Sequence, residues 1–86
     1  MKNYSQSVDD FSKAIQIDDN YAFSYYGRGR SYYALKNYNQ AIADYSKAIQ
    51  LNPNYKAAYF YRGNIYKILG DDEKADADFQ KSRNLD

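Results

Sequence analysis

Apolar residues recur along this chain at spacings of three and four, in runs separated by short polar breaks. Val8, Phe11, Ala14 and Ile15 form one such stripe, the pattern of a helix that buries one face. It predicts a first helix over about residues 4–17. Asp18-Asp19-Asn20 ends that helix, because short polar side chains compete for backbone hydrogen bonds and favour turns. A second helix is predicted over about 21–35, and Lys36-Asn37 turn the chain into a third over about 38–51. Asn52-Pro53-Asn54 is the strongest break in the chain, since proline lacks an amide donor and restricts the residue before it. A fourth helix covers about 55–69. Gly70 is placed to close it in the left-handed conformation, and Asp71 or Asp72 to cap a fifth. Links this short force consecutive helices antiparallel.

The pattern also repeats. Lys2–Tyr21 and Lys36–Tyr55 align without a gap, 34 residues apart, with 12 of 20 positions identical. A looser third copy, Asp71–Asp86, keeps Ala75, Asp78, Phe79, Lys81 and Leu85 in register. Tyr25-x-x-Arg28-Gly29-x-x-Tyr32 returns as Tyr59-x-x-Arg62-Gly63-x-x-Tyr66 at the same period. A fixed period of this length marks a solenoid, in which each unit buries its apolar face against its neighbours.

These residues resemble the tetratricopeptide repeat (TPR), whose unit is a pair of helices, A and B. In the unit from Ala22 to Tyr55 the matching positions are Tyr25, Gly29, Tyr32, Ala41, Tyr45, Ala48 and Pro53; in the next they are Tyr59, Gly63, Tyr66, Ala75 and Phe79. Phe11 and Ala14 fit helix B of an earlier unit, with Ser7 where alanine is usual and Asp19 where proline is usual. The resemblance implies an all-α, α-solenoid fold of five helices and about two and a half units in a single domain over residues 1–86. Residues 1–21 would be a lone helix B, 22–55 a full unit, and 56–86 a C-terminal unit with a polar capping helix.

Composition narrows the function. The net charge of +1 argues against a nucleic-acid partner, which calls for a basic face. No apolar run approaches the ~18 residues of a membrane span, and the N-terminus lacks the apolar stretch of a secretory signal, so no membrane partner and a cytoplasmic location are expected. Histidine and cysteine are absent, which removes the commonest general base and the usual soft metal ligands. No catalytic residue, metal site or cofactor is expected, and an enzyme is not the reading we favour.

Two sets of residues are assigned to packing. Gly29 and Gly63 are expected where helices A and B cross most closely. Arg28 and Arg62 are expected to pair with carboxylates of the series Asp10, Asp44 and Asp78, which recurs at the same period, because a half-buried guanidinium needs an acidic partner.

The chain holds 12 tyrosines, a residue that joins a large apolar body to a hydroxyl in need of a partner. The period accounts for nine of them as packing residues: Tyr4 with Tyr38, Tyr21 with Tyr55, Tyr25 with Tyr59, Tyr32 with Tyr66, and Tyr45 with Phe11 and Phe79. The aromatics left over lie on a different helical face. Phe23, Tyr26, Arg30 and Tyr33 follow spacings of three and four on the second helix; Phe60, Asn64 and Lys67, flanked by Tyr61, follow them on the fourth. In the resembled family A helices line a concave surface, which implies that these eight residues form a groove for a protein or peptide partner. Aromatic anchors among polar groups have the composition of a recognition surface. The alternative is a structural self-assembly unit, in which another copy covers the same aromatics. The subtype that clamps a chaperone's C-terminal carboxylate is not matched, since Tyr26, Arg30, Ala57 and Tyr61 stand where its Lys, Asn, Lys and Arg would be.

The ends differ. Asp76, Ser82 and Arg83 replace Ile42, Ala48 and Ile49 on the last helix, as suits a capping element. The first helix keeps Val8, Ala14 and Ile15 at those positions and lacks a preceding helix A. Val8, Phe11 and Ile15 are therefore candidates for self-association into a homo-oligomer, unless a segment of a longer protein or a helix from a partner covers them.

Overall fold

The computed structural model describes residues 3–85. They form five helices: α1 (Tyr4–Ile17), α2 (Ala22–Ala34), α3 (Tyr38–Leu51), α4 (Lys56–Ile68) and α5 (Asp72–Asn84). The bounds of α1 and α3 are those expected from the breaks; α2 and α4 are one residue shorter at each end, because Tyr21 and Tyr55 serve as N-caps and Leu35 and Leu69 as C-caps. The tightest associations are α2 with α3 and α4 with α5, the two A–B pairs, and α1 lies along α2. The molecule is an all-α solenoid, as the repeat implied.

Local chemistry explains the boundaries. Asn3 caps α1 by accepting from the Gln6 amide at 2.8 Å, and the Gln6 side chain returns to the Asn3 amide, a reciprocal pair that satisfies two orphan donors. After α1 and α3, the Asp18 and Asn52 side chains accept from the amides of Asn20 and Asn54, the turn chemistry expected there. Asp71 caps α5 by accepting from the Lys74 amide. Gly70 closes α4 with φ 85°, and the amides of Gly70 and Asp71 donate to the carbonyls of Lys67 and Tyr66. One repeat earlier Lys36 makes the same turn with φ 62°, and the amides of Lys36 and Asn37 donate to Tyr33 and Tyr32. A lysine there carries the strain that glycine avoids.

Tyr25, Ala41, Tyr45, Ala48, Ala58 and Ile65 make the core. Gly29 and Gly63 stand at the close crossings: a methyl group on either would come within 3.0 Å of the ring of Tyr45 or Phe79. Gly27 is a third such position, not expected from the sequence, because the Phe11 ring lies directly against it. The Tyr25 and Tyr59 hydroxyls donate to the carbonyls of Asp19 and Pro53, tying each A helix to the turn before it.

The polar layer matches the expected pairs. Arg28 makes two 2.8 Å bonds to Asp44 and a third to the Ser12 hydroxyl; Arg62 does the same with Asp78 and Ser46. Each guanidinium thus joins three consecutive helices.

Two packing expectations need correction. Tyr4 and Tyr21 are more than half exposed, although their repeat partners Tyr38 and Tyr55 pack against the core. The position is repeated but its surroundings are not, since no helix precedes α1 among the described residues. Ser82 does not belong to the polar outer face of α5, because it is buried beside Ala75 and Asp78; Asp76 and Arg83 are exposed there. Ile15 is half-buried, one side of it packed against the core cluster.

Candidate functional site

The A helices bring the leftover aromatics together, and α2 is their centre. Successive residues of α2 at three- and four-residue spacing project Phe23, Tyr26, Arg30 and Tyr33 along one side. Tyr26 stacks on Tyr55 with ring centroids 4.9 Å apart and also meets Phe23, Tyr45 and Tyr61. Tyr33 meets Tyr38 and Tyr61 edge-on. The Arg30 guanidinium lies 5.0 Å from the centre of the Tyr61 ring, a favourable placement of a cation over an aromatic face. Tyr45 packs against the rings of Tyr26 and Tyr61. Its ring is fully buried and lies roughly parallel to that of Tyr61, and its hydroxyl has no hydrogen-bond partner among the described residues.

A cleft of about 560 Å³ opens over this cluster. Five of the eight expected groove residues line it: Phe23, Tyr26, Arg30, Tyr33 and Tyr61. Phe60, Asn64 and Lys67 do not. Phe60 is about half exposed and meets Tyr61 and Phe79, Asn64 is half-buried, and Lys67 is drawn to Asp72 at 3.4 Å. The cleft extends instead toward α1, where Tyr4, Ser7 and Phe11 complete it with Gly27, Ser31 and Ala34 of α2. Of the three α1 residues singled out earlier, Phe11 lines the cleft, Val8 is half-buried and Ile15 faces the core.

Sequence reasoning missed Tyr4, Ser7, Phe11, Gly27, Ser31 and Ala34 as cleft residues. One signal was available: Gly27 departs from its repeat partner Tyr61, just as the groove aromatics depart from the repeat. The rings are more enclosed than a solvent-facing cluster, and their hydroxyls show it. Burial raises the Tyr26 pKa, with Tyr61 adding to the effect and Arg30 opposing it. Burial also raises those of Tyr45 and Tyr55.

The described residues offer no cluster of three acidic, histidine or cysteine side chains for a metal ion. Among the described residues, no helix is long and apolar enough to cross a membrane. What the cleft does offer is aromatic surface with one guanidinium and a few hydroxyls, suited to non-covalent recognition.

Family models of the tetratricopeptide repeat match residues 22–55 and residues 44–77. A search of curated proteins gives no match. Among solved structures, MamA superposes with a TM-score of 0.92 at 26% identity; the match covers 95% of this chain and 48% of the MamA chain, about half its length. The second TPR domain of Spaghetti (RPAP3), solved bound to the HSP90 peptide SRMEEVD, gives 0.93 at 26% identity, covering 96% of this chain and 77% of that one. The Arabidopsis OM64 TPR domain gives 0.94 at 26% identity, covering 96% and 69%. Helix pairs at a 34-residue period, glycines at the crossings and both family matches agree: the chain belongs to the tetratricopeptide repeat family.

Proposed function

We propose that this protein is an interaction module that receives a peptide segment of a partner in the aromatic cleft over α2. Its function as a protein-interaction domain follows from its family; the cleft as the place, and the residues below as the contacts, are our reading. The observation that carries it is the position of Arg30 over the Tyr61 ring, beside Tyr26 and Tyr33, at the centre of the cleft. Such a surface supplies apolar anchors and one directional polar group, and it is held in place before the partner arrives. Preformed rings limit the ordering cost of binding.

The peptide-bound relative supports a groove that takes a peptide. The polar set here differs from a carboxylate clamp, so an acidic C-terminus is not the ligand we assign. Phe23 and Arg30 are exposed and suit mutagenesis better than the half-buried Tyr26 and Tyr61. Phe23→Ala with Arg30→Glu should abolish partner capture while leaving the helical content and melting curve unchanged. Undiminished capture by that variant would refute the assignment. The self-assembly alternative predicts a different result, namely dissociation of an oligomer in sedimentation when the same residues are changed.

A further inference from the structure

Arg30 differs from the other two arginines of the A helices. Arg28 and Arg62 are each gripped by an aspartate through two hydrogen bonds. Arg30, two residues along α2, has no carboxylate within ion-pair distance among the described residues. It is exposed, and its guanidinium rests on the Tyr61 ring, 5.0 Å from the centre. Tyr26 and Tyr33, one turn to either side of it on α2, meet that ring as well. These residues belong to α2 and α4, so this part of the cleft has both its walls, whatever lies over α1.

Charge is unevenly shared between the helices. α2 and α4 contain no aspartate or glutamate; every acid of the chain lies on α1, α3 or α5, in a link, or at the last residue. The aspartates that do reach the A helices are taken, Asp44 by Arg28, Asp78 by Arg62 and Asp72 by Lys67. With the cleft open, water solvates Arg30. A segment laid over it strips that water, and a guanidinium so covered needs an acceptor. Nothing on α2 or α4 supplies a carboxylate, so the segment itself must.

The geometry points to a partner segment that carries an internal aspartate or glutamate side chain, seated on Arg30 between apolar residues. This rests on the cleft being the binding surface and adds the chemistry of what it receives. The charge of the ligand follows from the site. One guanidinium pairs bidentately with one carboxylate, whereas a phosphate dianion calls for a second cation, and Arg30 is the one charged residue lining the cleft among those described. The internal position follows from the rings. Phe23 and Tyr26 lie to one side of Arg30 along α2 and Tyr33 to the other, so apolar anchors belong both before and after the acid. A terminal carboxylate on Arg30 would leave one set of rings uncovered.

Random peptides displayed on phage and selected on the immobilised intact chain supply the probe. The selected sequence should hold aspartate or glutamate at one position, with aromatic or aliphatic residues on both sides. Made as a fluorescent synthetic peptide with both ends blocked, it is titrated with the protein and followed by anisotropy. Its affinity should fall about ten-fold or more when the acid becomes its amide, and as much when the protein carries Arg30→Gln. The two changes together should cost little more than either alone, because both remove the same contact. Arg30 is exposed, so Arg30→Gln should keep the melting curve of the parent. A selected peptide that lacks an acid, or one whose binding ignores Arg30→Gln yet falls with Phe23→Ala, overturns this inference and leaves the cleft standing. So does a peptide that binds only with a free C-terminus, or one that binds about ten-fold more tightly with phosphoserine in place of the acid. Selected peptides indifferent to both variants overturn the proposed function with it, as does a selection that yields no peptide.

Discussion

Arg28 holds Asp44 through two 2.8 Å hydrogen bonds, and its third contact reaches back to Ser12 on the preceding helix. The Arg62–Asp78 pair reproduces this 34 residues later, with Ser46 as the third partner. Paired charges of this kind are costly to separate: removing one member strands the other in a poorly solvated layer. The bonds to aspartate also hold both guanidiniums charged, raising their pKa values further.

Asp44→Ala should therefore cost about 3 kcal/mol. Replacing both partners, Arg28→Met with Asp44→Leu, should cost less than that single change, because no lone charge remains. Urea denaturation of the three proteins checks this. A double variant less stable than Asp44→Ala would show that the pair itself, and not the stranded charge, carries the effect.

Gly29→Leu places a branched side chain against the Tyr45 ring and Asp44. Overpacking of this kind costs about 1–3 kcal/mol, and thermal melting should show the loss. An unchanged melting curve would mean that α2 and α3 do not cross where Gly29 sits.

Lys36 is the converse case, a residue in the left-handed conformation at a turn where Gly70 serves one repeat later. Lys36→Gly relieves that strain and should stabilise the fold by about 1 kcal/mol, raising the melting temperature by about 4 °C or more for a domain of this size. Gly70→Ala should lower it. Opposite signs at the two equivalent turns are the required outcome.

One buried and two half-buried tyrosines set the response to alkali. Tyr45, Tyr26 and Tyr55 have raised pKa values, burial being the first cause for each. The unfolded chain loses these protons near pH ~10 while the folded chain keeps them, so the unfolded state binds fewer protons and stability falls as pH rises. The contribution is intact below about pH 10 and is lost progressively above it. Tyr45→Phe should flatten that decline, and below pH ~10 it should be neutral or stabilising by about 1 kcal/mol, because its buried hydroxyl finds no partner among the described residues. Denaturant midpoints measured across this range decide the matter; an identical alkaline slope in the variant would rule Tyr45 out as its source.

Much of this was legible in the sequence because the repeat states it twice. The bounds of α1 and α3, the caps at Gly70 and Asp71 and the Arg–Asp layer all follow from residues whose chemistry is local or recurs at the period. What the period could not convey is context. Tyr4 and Tyr21 share positions with Tyr38 and Tyr55, yet lack the helix that covers those residues. Ser82 looked like surface because serine is polar, but it fills the buried site of Ala48. Lys36 gave no sign of its left-handed backbone, which lysine disfavours and the turn imposes. The cleft was only partly readable. Phe23, Tyr26, Arg30, Tyr33 and Tyr61 stood out as aromatics and a cation the repeat left unexplained, whereas Phe11 and Tyr4 matched the repeat and were assigned elsewhere, and Ser7 drew notice only as a serine where alanine is usual.

The central claim is that the aromatic cleft over α2 is where this module holds its partner. Quantitative capture with immobilised intact chain, against the Phe23→Ala, Arg30→Glu variant matched in helical content and sedimentation, tests it most directly. The account predicts that a defined set of proteins is retained by the intact chain and lost by the variant. Equal retention of that set by both proteins would contradict it.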